Sequence, residues 1–87
     1  MEREPMTQEQ IEGTVRAARD SVWVINDEIA KLANNMPWNE ERKGNIERNV
    51  AHLEIVMSNP EISGSGLDLS DLTAAIAAGK QELTNRQ

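Results

Sequence analysis

The chain has 87 residues, with 15 acidic and 9 basic side chains, a formal net charge of −6, and no Cys, Phe or Tyr. That length holds one domain around one modest core. The missing Cys excludes disulfides and Cys-ligated metal sites, and the acidic balance opposes direct contact with nucleic-acid phosphates or an anionic membrane surface.

Residues 1–6 are charged and contain Pro5, which reads as a flexible N-terminal tail. They lack a basic stretch followed by an apolar one, and no apolar run approaches the ~20 residues of a membrane span. A soluble, cytoplasmic protein is therefore the expectation. Order should begin at Thr7, because Thr7-Gln8-Glu9-Gln10 matches a capping box. Apolar residues then recur at Ile11, Val15, Ala18, Val22, Ile25, Ile29, Leu32 and Met36, alternating steps of four and three. This rhythm predicts a helix over about 8–33, supported by i,i+4 pairs Glu12–Arg16 and Asp27–Lys31 and ended by Asn34-Asn35 and Pro37.

Asn39, followed by Glu40 and Glu41, predicts the start of a second helix over about 39–58, with Pro37-Trp38 forming the corner. Its stripe is Ile46, Val50, Leu53 and Met57, flanked by Val56, and Lys43 pairs with Glu47 outside. Asn59-Pro60 is read as its end and Ser63-Gly64-Ser65-Gly66 as a loop. Asp68 or Ser70 should cap a third helix over about 69–83, whose stripe is Leu69, Leu72, Ile76, Gly79 and Leu83. Gly79 on that stripe predicts a close helix crossing. Short connections make the expected fold an all-α, three-helix up-down-up bundle, a single domain over 7–84 with a frayed end at 85–87. The first helix is too long for the third to cover. Its N-terminal turns either stand free or meet a second copy, so a homodimer through helix one is part of the expectation.

No residue is assigned to catalysis, a cofactor or a metal. His52 is the one histidine, and its helical neighbours Arg48, Asn49, Ile55 and Val56 include no carboxylate. Asp27-Glu28 and Glu40-Glu41 read as solvated helix faces, since acid–base work needs carboxyls in contrasting environments. Asp68, Ser70 and Asp71 lack the later ligands of a calcium loop.

Off-stripe apolar residues are more informative. Taking ~100° per residue, Trp23 and Val24 point away from Val22, and Ile55 lies opposite Ile46. Together with Trp38, these are the candidate protein-interaction residues, because Trp is enriched at interface anchors. Alternatively, helix three or the Trp38 corner folds over Trp23 and completes the monomer.

The run Asn49-Val50-Ala51-His52-Leu53-Glu54, the loop after it, and Leu67-Asp68-Leu69-Ser70-Asp71-Leu72 with Ala74-Ala75-Ile76 resemble small bacteriophage- and prophage-encoded accessory proteins. The resemblance covers roughly the last half of the chain and implies a compact accessory protein, with no functional residue to carry over. The functional expectation is a non-enzymatic interaction or assembly module with a protein partner. The alternative is an acidic decoy for a nucleic-acid-binding host protein, with Glu9, Glu12, Asp20, Asp27 and Glu28 supplying the charge.

Overall fold

The computed structural model describes residues 5–86, which fold entirely as helices and connecting turns. The helices are α1 (Gln8–Ala33), α2 (Glu40–Ser58), α3 (Pro60–Ser63) and α4 (Ser70–Asn85). The capping box forms at the start of α1: Gln10 N–H donates to the Thr7 hydroxyl, while Thr7 N–H donates to the Gln10 side chain. At the other end Asn35 takes a left-handed φ of 68°, letting Asn35 N–H donate to the Leu32 carbonyl and Met36 N–H to that of Lys31. Asparagine here fills the place usually given to glycine in this paired C-terminal motif. Asn39 caps α2 through Arg42 N–H.

The three long helices pack against one another around Val15, Ile25, Ile46, Leu53 and Leu72, all nearly inaccessible. Gly79 sits where α4 crosses the other two. A Cβ built on it would lie 2.5 Å from Val50 Cγ2 and within 3.5 Å of Ile46 and Ile25, so only hydrogen fits. Asp27–Lys31 closes at 3.0 Å as the spacing suggests. Ile29, Met57, Ile76 and Leu83 pack at the edge of the core and Met36 stays exposed, so the stripes fade toward their ends. The molecule is long, 48 × 24 × 16 Å, because α1 alone spans about 39 Å.

The path of the chain departs from the sequence expectation at α3, at Met6 and at the ends of α4. Asn59-Pro60 ends α2 but also starts α3: the Asn59 side chain accepts Glu61 N–H, and Pro60 stands at the first helical position, where its missing N–H costs nothing. α3 carries the fully buried Ile62 and contacts α1 and α2. α3 thus covers part of the N-terminal turns of α1 from within the chain, while Gln10 and Ala17 stay exposed on another side. Met6 is not loose either. Its N–H donates to Glu61 Oε1 at 3.0 Å, its side chain packs on the core, and residues 1–4 of the expected tail lie outside those described. Finally, α4 reaches Asn85, and neither Asp68 nor Ser70 is its N-cap residue; Leu69 is, without a side-chain bond.

Asp68 acts one position earlier. Its Oδ1 accepts from the Ser70 hydroxyl at 2.6 Å and from Ser70 N–H at 3.1 Å. These bonds, with a smaller pull from Arg19, hold its carboxyl below the usual carboxylate range. Since the folded-state pKa is depressed, this turn stabilises the fold above the unfolded carboxyl's pKa and ceases to do so as pH falls through the folded value. Ser70→Ala should return the Asp68 titration toward the ordinary range in carboxyl-detected NMR; an unmoved titration would show that the serine is not the cause.

Candidate functional site

The four candidate residues occupy separate places. Trp23 stands on the outer face of α1, 68% exposed, and neither α4 nor the Trp38 corner seals it. Val24, one step around the same helix, is half-buried. Ile55 is 71% exposed on α2. Trp38 is half-buried against the core, and the Arg86 guanidinium lies 5.8 Å from its ring centre, a cation–π contact that ties the end of α4 to the α1–α2 corner. That indole is engaged within the monomer, so of the four candidates Trp23 and Ile55 are the ones presented outward, alongside Met36 at the α1–α2 corner.

Ile55 borders an open groove of about 680 Å³ along the seam between α1 and α2. Gly13, Thr14 and Ala17 form its α1 wall, Ile55 and Val56 its α2 wall, and Met6 and Ile62 stand where α1 begins. Every side chain lining it is uncharged, in a chain where 28% of residues carry charge. A Cβ added at Gly13 would meet nothing within 4 Å. This glycine, which costs about 1 kcal/mol of helix propensity relative to Ala, therefore widens the groove instead of admitting a neighbouring helix of its own fold. Neither Trp23, Val24 nor Trp38 lines the groove. Gly13, Thr14 and Ala17 escaped the sequence reading because small residues off the apolar stripe look inert one at a time.

Two further hollows carry charged side chains. One of about 340 Å³ lies between α1 and the loop before α4, where Arg16 and Arg19 face Glu12 and Asp68. The positive charges there are balanced, and Arg19 is already bound to Asp71 at 2.9 Å and to the Asp68 carbonyl at 3.1 Å. The other, about 130 Å³, lies at the α1–α2 corner over Glu28 and Arg42. Glu28 is buried. It bonds Arg42 at 3.3 Å and lies 3.6 Å from Lys31, while Arg42 also donates to the Pro37 carbonyl. These partners make Glu28 a clip for the corner.

No family model, curated protein or solved structure matches the chain. The functional reading therefore rests on the surface chemistry alone. His52 is exposed on α2, and among the described residues no three His, Asp or Glu side chains converge as a metal site would require. No helix among them is long and apolar enough to cross a membrane.

Proposed function

We propose that the protein is a non-enzymatic interaction module, a compact accessory protein of the phage kind, that works by presenting helix faces to a protein partner. The observation carrying this reading is the exposure of Trp23 and Ile55 on a bundle whose core is already filled by residues from all four helices. Scattered exposed aliphatic residues are common on soluble proteins, but a side chain the size of Trp, left two-thirds in water, is the type enriched at interface anchors. The decoy reading gains less support. Of its five carboxylates, Glu28 is buried and Asp27 is bound to Lys31, which leaves fewer free charges to imitate a phosphate backbone.

Trp23→Ala and Ile55→Ser should each leave helicity unchanged and stability within the small range typical of surface changes, about ±0.5 kcal/mol. At least one of them should weaken capture of the cognate protein from its host. If both variants retain undiminished binding, the helix faces are not the working surface. Steep loss of the wild-type complex between low and high salt, without sensitivity to either variant, would favour the decoy.

A further inference from the structure

In an antiparallel pair of helices, each side of the seam can be covered by another helix, and here one side is taken. α4 crosses on the side marked by Gly79 and by the Arg19–Asp71 ion pair. Ala17 lies roughly 160° around α1 from Arg19, so the groove it walls is on the side of the seam that α4 leaves open. This is the position of a fourth helix in a bundle.

Three features restrict what fits there. The lining is uncharged throughout, and its polar side chains Gln10, Thr14 and Asn59 already bond within the chain, so an occupant must bring an apolar or small stripe. On α1 the stretch from Gln10 to Ala17 covers about two turns, and Gly13 and Ala17 allow a backbone to approach closely. The charges around the groove are mainly acidic. Glu9 and Asp20 flank Gly13 at i−4 and i+7 and Glu61 stands beside Met6 at the closed end, against Arg16 as the nearby cation. With a net charge of −6 on the whole chain, a second copy would meet repulsion, whereas a basic helix would be attracted.

We infer that the open α1/α2 seam docks an amphipathic helix with a two- to three-turn apolar stripe flanked by Lys and Arg, supplied by another protein. This rests on the interaction-module reading and specifies the partner for the Ile55 face. Such helix-in-groove recognition uses anchors at i, i+3 or i+4, and i+7.

The test is a display library of helical peptides with a fixed Ala/Leu stripe and flanking positions free to be Lys, Arg, Glu, Gln or Ser, selected on the full-length protein. Enriched peptides are then synthesised and their affinities measured by fluorescence anisotropy. The expected peptides carry Lys and Arg at the flanks and bind Gly13→Leu and Ile55→Ser at least about tenfold more weakly, the effect of losing a hot-spot contact. Gly13→Leu is the decisive variant. Its new side chain enters open space in the groove and should melt no lower than the parent, so lost binding cannot be assigned to unfolding.

The proposal is overturned if no helix is enriched, if the flanks show no basic preference, or if Gly13→Leu binds as tightly as the parent. Binding lost in Trp23→Ser but kept in Gly13→Leu would overturn the groove while leaving the interaction-module reading standing. A dimer in sedimentation that Gly13→Leu dissolves would make a second copy the occupant and would equally overturn it.

Discussion

Gly79→Leu should lower stability by roughly 3 kcal/mol, the upper end of overpacking costs, and the melting temperature by about 12–24 °C. The reason is geometric. Even the first added carbon would lie 2.5 Å from Val50 Cγ2, and Val50, Ile46 and Ile25 are all buried side chains of stiff, β-branched type that cannot rotate away without displacing others. The opposite outcome is expected for the same kind of change at Gly13. There Gly13→Ala gains up to about 1 kcal/mol of helix propensity, because nothing opposes the methyl group. Thermal melts of the two variants side by side check both. Equal effects at the two glycines would mean that α4 does not cross α1 and α2 as closely as described.

The second large effect is expected at the α1–α2 corner. Glu28 and Arg42 have only 8% and 13% of their side chains exposed, which places their ion pair in the regime where losing one partner is severe. Glu28→Ala should cost roughly 3 kcal/mol, since it leaves the Arg42 guanidinium partly buried with only the Pro37 carbonyl to accept from it. An exposed pair such as Arg19–Asp71 should contribute only ~0.2–1 kcal/mol. A double-mutant cycle over Glu28 and Arg42, followed by urea denaturation, measures the coupling directly. Coupling as weak as that of the exposed pair would show that water reaches the corner and that the connection is held by packing.

Most of the fold could be read from the sequence because its signals were local. The 3-4 rhythm of α1, the Thr7 capping box, the Asn39 cap and the glycine at the α4 crossing each depend on residues within a few positions of one another. α3 was hidden by a signal with two meanings. Asn-Pro ends a helix because proline cannot continue it, yet the same pair starts one, and which applies depends on whether the next apolar residue, Ile62, finds a core to enter. Met6 likewise gains order only through Glu61, 55 residues away, and no local pattern reports such a contact. Glu28 falls on the apolar face of α1 and read as a solvated carboxylate. Its burial is possible only because Arg42 arrives from the next helix.

For the surface, sequence reasoning found the side chains that stand out singly and missed those that act by being small. Trp23 and Ile55 were visible as large apolar residues off the stripe. Val24 proved half-buried, and Trp38 is engaged by Arg86, whose approach depends on how α4 ends. The groove is made by Gly13, Thr14 and Ala17 on α1 facing Ile55 and Val56 on α2. Its walls are distinguished by what they lack, so the pattern becomes legible only in three dimensions.

The claim underlying all of this is that a complete core leaves Trp23 and Ile55 outside it. It is tested most directly by solvent paramagnetic relaxation on protein labelled at its seven isoleucine methyls and two tryptophan indoles. With a soluble relaxation agent and dilute protein, the Ile55 methyl and Trp23 indole should relax strongly, while Ile25, Ile46 and Ile62 stay protected and Trp38 falls between. An Ile55 methyl or Trp23 indole as protected as Ile62 would mean that those faces are already covered and not available to a partner.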